Sequence, residues 1–379
     1  MTMIPFNRPH LTGREFAYIK QAVDAGQLAG NGQFTQRCHA WLERELGAPK
    51  VLLTHSATAA LEMTALLLNV GPGDEIIMPS FTFVSTANAF VLRGATPVFV
   101  DVRQDTLNLD ERLIEAAITP RTRAIVAVHY AGVGCDMDAI LTVAGRHNLF
   151  VVEDAAQALQ SRYRGRALGS LGHLAAISFH ETKNVISGEG GALVINDPSF
   201  ADRAEILWEK GTDRSRFQRG EVDKYRWVDV GSSFLPGELV AAFLFAQLEQ
   251  AREITDARLA LWRHYYQAAA PLDALGIRRP SVPDDCAHNA HLFYLLLPDR
   301  LNTRDALRLL NERGVNAVSH YVPLHSAPAG ERFGRTAGPM TVTDDYAGRL
   351  IRLPLWVGMT AADATRAVGT VEGIAAAVR

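Results

Sequence analysis

Apolar and polar positions change period along this chain in a regular order. From about Lys50 onward, short β-rich apolar runs bounded by turn formers alternate with longer stretches whose apolar residues recur at helical spacing. Val51 to Leu53, Glu75 to Met78, Pro97 to Val102, Ala124 to His129 and Phe150 to Glu153 read as buried strands. Ala57 to Leu68, Ser85 to Leu92, Leu109 to Ala117 and Met137 to Asn148 read as amphipathic helices between them. Such alternation predicts an α/β fold with a mostly parallel central sheet covered on both faces. Leu174 to Phe179 and Gly191 to Ile195 add two strands on either side of a polar loop.

The pattern changes after that sheet. Glu238 to Ala270 reads as one long helix that Pro271 stops, and a Pro-rich stretch, Arg279-Pro280-Ser281-Val282-Pro283, follows it. A strand at His291 to Leu297, a helix at Thr303 to Arg313, a strand at Ala317 to Val322 and a helix from Ala361 make a smaller C-terminal α+β domain. The expected division is a large domain with N-terminal helices over 1–240, then a connecting helix and small domain over 241–379. The N-terminal helices are expected to pack against the rim of the large domain or against another subunit.

Composition narrows the class. Of 379 residues 48% are hydrophobic and 21% charged, enough for a large core and a second lobe, and the net charge of −3 calls for neither a nucleic acid nor a membrane surface as partner. No apolar run approaches the roughly 20 residues that span a bilayer, and the opening residues lack a secretory pattern. Cys38, Cys135 and Cys286 stand singly, without the spacing of a disulfide framework or a metal site, so a cytoplasmic protein with no metal is expected.

Candidate chemistry centres on Lys183. It stands in Ser178-Phe179-His180-Glu181-Thr182-Lys183-Asn184, upstream of Gly188-Glu189-Gly190-Gly191, with a strand ending in Glu153-Asp154 before it. An amine that captures an aldehyde and an acid that keeps a pyridinium nitrogen protonated are what pyridoxal 5'-phosphate asks of a protein. A lysine beside glycines is by itself an ordinary surface feature, and the glycines also read as a hairpin. Asp154 is the pyridinium partner or, failing that, a helix cap for the segment from Ala155. Gln157 is placed to hydrogen-bond the phenolic oxygen of the ring. Free amides where a strand meets a helix around Ala57, with the hydroxyls of Thr58 and Ser178, suit a phosphate, although small hydroxyl residues are also plain caps. Phe83 reads as a stacking ring or a core aromatic. Arg214, Arg216, Arg219, Lys224 and Arg226 form one basic cluster that suits a nucleotide diphosphate or a solvated loop. His320, Tyr321 and His325 read as lining for a sugar pocket or as structural hydrogen-bonders.

Gly30-Asn31-Gly32, Ser56-Ala57-Thr58-Ala59-Ala60-Leu61, Pro72-Gly73-Asp74-Glu75, Glu153-Asp154-Ala155-Ala156-Gln157, the lysine segment and His320-Tyr321-Val322-Pro323-Leu324-His325 together resemble the DegT/DnrJ/EryC1/StrS sugar-nucleotide aminotransferases. The resemblance extends over almost the whole chain. It implies the pyridoxal phosphate-dependent fold type I, aspartate aminotransferase-like. In it Lys183 is bonded to the cofactor, Asp154 faces the pyridine nitrogen and Gln157 the ring oxygen; Ala57, Thr58 and Ser178 hold the phosphate, and Phe83 stacks on the ring. Family members with histidine in place of the lysine are dehydratases, so Lys183 implies transamination, the cofactor passing through its pyridoxamine form. Glu209 to Ser215, Val222 to Trp227 and Gly231 to Phe234 are similar to the family's dTDP-4-amino-4,6-dideoxygalactose transaminases of enterobacterial common antigen synthesis. That narrower resemblance implies L-glutamate and a dTDP-4-keto-6-deoxyhexose as substrates, with Arg214, Lys224, His320 and Tyr321 toward the sugar nucleotide. Ser233 stands where many members have an asparagine that reaches the cofactor phosphate of the neighbouring subunit, which implies a homodimer with shared active sites. The alternatives are amination at another carbon, epimer or nucleotide, and a non-catalytic cofactor-binding sensor.

Overall fold

The apolar runs become an eight-stranded sheet in the computed structural model, which describes residues 2–377; the outer limits of the two expected domains, 1 and 379, lie outside them. The strand order is Lys50–Thr54, Gly191–Ile195, Leu174–Ser178, Phe150–Asp154, Thr122–Val128, Glu75–Pro79, Thr96–Val100 and Arg335–Thr336. Neighbours run parallel except around Gly191–Ile195, which is antiparallel to both of its partners. This is the α/β architecture of the sequence reading. Alternate residues feed separate cores on opposite faces: Ile125, Val151 and Ile177 enter one, Val126, Val152 and Ala176 the other. Burial on both faces is why these strands appear as unbroken apolar runs.

Helices cover both faces, and several carry side-chain caps. Ser56 accepts a hydrogen bond from Ala59 N–H at the start of Ala57–Leu67, and Asp136 accepts one from Ala139 N–H at the start of Met137–His147. Asp110 caps Glu111–Ala117, which moves the start of that helix two residues beyond the expected Leu109.

The long helix expected over Glu238 to Ala270 is two helices, Glu238–Glu249 and Ala251–Ala268, which meet at Gln250. The break has a packing cause. Ala241, Leu244 and Leu248 enter the large core alongside Phe34 and Leu42, whereas Leu261, Trp262 and Tyr265 enter a different core. The first half of the pair is also what the N-terminal helices Glu15–Asp24 and Gln33–Leu46 pack against, within the same chain.

The second core is that of the smaller unit. Its antiparallel sheet has the order Phe293–Leu296, Leu350–Leu353, Val318–Ser319, backed by Ala251–Ala268, Thr303–Glu312 and Ala361–Ala376. The strand expected over Ala317 to Val322 is thus only two residues long, and Pro323 with the turn Leu324–Ser326 takes the chain away from the sheet. Leu350–Leu353, the central strand of this sheet, was absent from the sequence reading. Among the described residues no helix is long and apolar enough to cross a membrane, and the three cysteines are free.

Candidate functional site

The carboxyl ends of the parallel strands open into a cavity of about 530 Å³ that the smaller unit closes from the other side. Loops and helix starts converge at that edge of such a sheet. Asp154 and Ser178 are the last residues of two neighbouring strands, and Lys183 follows the second of them; all three line the cavity.

Two consecutive carboxylates at the strand end have opposite environments. Glu153 faces into the protein, where Oε1 accepts from Leu171 N–H at 2.6 Å and Gly172 N–H at 2.7 Å, and Oε2 accepts from Gly169 N–H at 2.8 Å and pairs with His129 Nε2 at 2.9 Å. Burial pushes its pKa up, but His129 and the amide donors outweigh that and hold it below the ordinary glutamate value. Asp154 points the other way. Its Oδ2 accepts from Thr86 Oγ1 at 2.7 Å and its Oδ1 from Ala156 N–H at 3.2 Å, and it keeps a side toward the cavity. Thr86, itself bonded to Thr82 at 2.8 Å, is a partner that the sequence reading missed.

Lys183 is half-buried on a loop closed by backbone bonds from Phe179 N–H to Gly190 O and from Glu181 N–H to Gly188 O. The glycines therefore do form the hairpin. Gly188 takes φ +82°, and a Cβ on Gly191 would lie 2.4 Å from the backbone of Ser56 and Ala57, so the close approach they permit is between this strand and a helix start. Desolvation lowers the Lys183 amine to about 8, helped by the charge of Arg352 and opposed by that of Asp154.

Ser56, Ala57 and Thr58 line the cavity at the N-terminus of Ala57–Leu67, and Ser85 lines it at the N-terminus of Val84–Val91. Thr58 and Ser85 share a hydroxyl–hydroxyl bond of 2.7 Å, which brings the two helix starts together, and Ser178 lines the same cavity. Amide donors, two helix dipoles and these hydroxyls form a cradle for a dianion. Phe83 is 57% exposed, which rules out a core role, and its surface lines the cavity. Gln157 accepts from Ala131 N–H at 2.7 Å and donates to the Tyr321 hydroxyl at 3.0 Å.

The facing wall comes from the smaller unit. His320 stacks on Tyr321 and bonds the Tyr130 hydroxyl through Nδ1 at 3.1 Å. Burial, with Arg352 and Lys183 nearby, drives the His320 imidazole far below its usual value, so it is neutral. Arg258, His291 and Arg352 also line the cavity, and all three escaped the sequence reading. Arg258 and His291 lie in segments where a polar residue is unremarkable. Arg352 had a signal, because it is the lone charge in the apolar run Leu350-Ile351-Arg352-Leu353-Pro354-Leu355-Trp356.

Ala57, Thr58, Phe83, Asp154, Gln157, Ser178, Lys183, His320 and Tyr321 are thus brought together. Ser233, Arg214 and Lys224 are exposed and outside this cavity. In the same segment Arg216 pairs with Asp202, and Arg219 with Glu205 and Glu221. The assembled residues fit pyridoxal phosphate: a reactive amine, a carboxylate toward the ring nitrogen, an exposed aromatic face and a phosphate cradle.

Across residues 9–372 the chain matches the DegT/DnrJ/EryC1/StrS aminotransferase family. It is 34% identical over 382 residues to the spore coat polysaccharide biosynthesis protein SpsC of Bacillus subtilis, covering 98% of this chain and 97% of that protein. The aminotransferase TlmJ of Streptoalloteichus hindustanus shares its fold at a TM-score of 0.91 and 30% identity, over 100% of both chains. Spr1654 of Streptococcus pneumoniae in its PLP-form gives a TM-score of 0.91 at 25% identity, again over 100% of both chains.

Proposed function

This chain belongs to the DegT/DnrJ/EryC1/StrS aminotransferase family, and from that premise we propose that it moves an amino group from L-glutamate to C4 of a dTDP-4-keto-6-deoxyhexose, giving dTDP-4-amino-4,6-dideoxygalactose and 2-oxoglutarate. At the coarser level it is a pyridoxal phosphate-dependent sugar aminotransferase of fold type I.

The observation that carries the chemistry is the desolvated amine of Lys183 in one cavity with Asp154, opposite a helix-terminal cradle. When bound, the cofactor supplies an electron sink for the bond that breaks at the reacting carbon. Asp154, fixed by Thr86 and the Ala156 amide, holds the ring nitrogen protonated. Ala57, Thr58, Ser85 and Ser178 bind the phosphate, and Phe83 orients the ring by contact with one face. Gln157, its carbonyl oxygen taken by Ala131, offers amide hydrogens to the ring oxygen. Lys183 moves the proton, from Cα of the donor in one half-reaction and to C4 of the sugar in the other. An amine held to about 8 can both take and return a proton near neutral pH.

The sugar-nucleotide assignment draws on the segment from Glu209 to Phe234 and on the aromatic wall of His320 and Tyr321. In that segment Phe217, Tyr225, Trp227, Val228 and Val230 are exposed, with Trp227 at 80%. So much apolar surface in one stretch suits burial against a second copy of the chain. A homodimer would place Ser233 at the phosphate cradle of the other subunit and give Arg214 and Lys224 a sugar-nucleotide diphosphate to meet.

The test is incubation of the purified protein with pyridoxal phosphate, L-glutamate and dTDP-4-keto-6-deoxyglucose, with the product identified by mass spectrometry and NMR. An axial amine at C4 is expected. An equatorial amine, or an amine at another carbon, removes this substrate assignment and leaves the aminotransferase chemistry in place.

A further inference from the structure

His291 is a buried histidine in the cavity wall that the chemistry above leaves without a task. The segment that carries it is held on two sides. The Asn289 side chain donates to the carbonyls of Gln157 at 2.9 Å and Leu159 at 2.8 Å, and accepts from His291 N–H at 3.0 Å. Arg258, on the helix Ala251–Ala268, donates Nε to the Ala290 carbonyl at 3.1 Å and a terminal nitrogen to the His291 carbonyl at 2.6 Å.

Asn184, the residue after Lys183, decides which nitrogen of the imidazole carries the proton. Its amide nitrogen donates to the Asn289 carbonyl at 2.8 Å, and a carbonyl only accepts, so the amide oxygen is the end turned toward His291. That oxygen lies 3.1 Å from Nδ1, which therefore bears the hydrogen. Nε2 is left as a bare lone pair. His291 is not among the described side chains whose unpartnered polar atoms are sealed from solvent, so this lone pair opens on the cavity that the residue lines. His320 differs, because its partner, the Tyr130 hydroxyl, gives or takes a proton equally well and leaves the tautomer free.

The imidazole stays neutral. Burial pushes its pKa well below the usual value, and the charges of Lys183 on the hairpin, Arg258 on its helix and Arg352 on the small sheet, with His320, push it the same way. A neutral acceptor suits Lys183. Once that amine has taken the proton from Cα of the donor it is an ammonium, with donors and no acceptor, in a cavity where Arg258 and Arg352 share its sign. In the function proposed above Asp154 is committed to the ring nitrogen, and Glu189 at the rim is exposed and lies toward His180.

We propose that His291 is a positioning residue for Lys183: its Nε2 accepts a hydrogen bond from the ammonium, without taking the proton, and holds the amine at the reacting carbon until the proton is passed on. This rests on the transaminase reading above. The smaller unit then shares with the hairpin in setting where the amine stands, because His291 leads directly into the strand Phe293–Leu296.

Two substitutions separate the two ring nitrogens, since an asparagine amide reaches the place of Nδ1 and a glutamine amide that of Nε2. H291N still donates to Asn184 but leaves the cavity without the acceptor, whereas H291Q keeps an acceptor oxygen in the cavity and gives up the bond to Asn184. The first readout uses the cofactor-free protein, in which the pH dependence of Lys183 acetylation, followed by mass spectrometry, gives the titration midpoint of the amine. Loss of the acceptor destabilises the ammonium, so the midpoint should lie about 1 pH unit lower in H291N, an about 10-fold weaker hold on the proton, and within about 0.3 of wild type in H291Q. The second readout is the half-reaction of the holoenzyme with L-glutamate, followed by the absorbance of the bound cofactor. Its rate should fall about 10-fold in H291N with KM little changed and the acid limb of the pH profile moved to lower pH, and less than about 3-fold in H291Q. The reverse order, with H291N like the wild type and H291Q impaired, makes His291 a structural bond to Asn184 and overturns the proposal, as does an unchanged lysine midpoint in H291N. If H291N does not fold, nitrogen NMR of the cofactor-free wild type decides: a proton on Nδ1 and an Nε2 resonance that moves as Lys183 titrates support the acceptor, and a proton on Nε2 or a resonance indifferent to the lysine removes it. A wild type that does not convert L-glutamate removes the transaminase reading, and the lysine midpoints still test His291.

Discussion

Asp154, Ser178 and Lys183 reach the cavity from two neighbouring strand ends and one hairpin, whereas Arg258, His291, His320 and Arg352 on the facing wall come from a helix and separate segments of the small unit. The first wall is built from local sequence, because a strand that ends at the edge of a parallel sheet delivers its next residues to one place. The second wall exists only once the small sheet has formed and closed over the first. In the function proposed above, chemistry common to both half-reactions falls to the local wall, and contacts that differ between substrates fall to the assembled one. Substitutions that damage one wall without the other test that division.

Lys183→Ala is the largest expected effect. Turnover should fall by at least about 10³-fold, since both proton transfers pass through this amine. The thermal midpoint of the cofactor-free protein should hold or rise, because a desolvated ammonium is removed from the cavity wall. Activity measured alongside calorimetry checks both halves, and substantial residual turnover would take Lys183 out of its assigned role.

The adjacent carboxylates sharpen the comparison within the local wall. Asp154→Ala should lower kcat by roughly 10²- to 10⁴-fold while the protein stays folded, since its partners are one hydroxyl and one amide. Glu153→Gln should do the reverse. All four acceptor sites of Glu153 are occupied by donors, and an amide cannot accept at both ends, so the loss should be about 2–4 kcal/mol of stability with turnover per folded molecule changed only a few-fold. Because the folded-state pKa of Glu153 is lowered, its contribution is present in full above the ordinary glutamate pKa and is lost as pH falls from there through the lower folded-state value. Denaturant titration of both variants beside single-turnover kinetics separates the two roles.

This division also explains what could be read from the chain. The sheet was legible because its strands are buried on both faces and are therefore continuously apolar, and Asp154 and Lys183 were legible because the first ends such a run and the second stands in the polar loop that follows another. The helix break at Gln250 was not, since apolar spacing continues through it and only the existence of two separate cores reveals the change of partner. Arg352 stood out as the lone charge in an apolar run, but its place on the cavity wall did not. Its strand is four residues long, and the face it presents depends on pairing with segments far away in sequence. Thr86 shows the limit most simply, being one of two adjacent hydroxyl residues in its helix until the fold sets it 2.7 Å from Asp154.

The smallest effect concerns the state of Lys183 itself. Its amine is held to about 8 in the folded protein, against about 10.4 for an unfolded lysine. Below about pH 8 both states carry the proton, and the folded state bears the full penalty of a desolvated charge. Between about 8 and 10.4 the unfolded chain binds more protons than the folded one, so stability should rise with pH across that window, and above it the term is constant. Other groups titrate there, including the free cysteines, so the quantity to follow is the difference in melting temperature between the cofactor-free wild type and Lys183→Met. That difference should shift in favour of the wild type as pH rises from 8 to 10. Loading pyridoxal phosphate, which consumes the amine, should flatten it. A difference independent of pH in the cofactor-free protein would mean that the lysine is solvated as an ordinary surface amine is, and the local wall would lose the property that sets it apart.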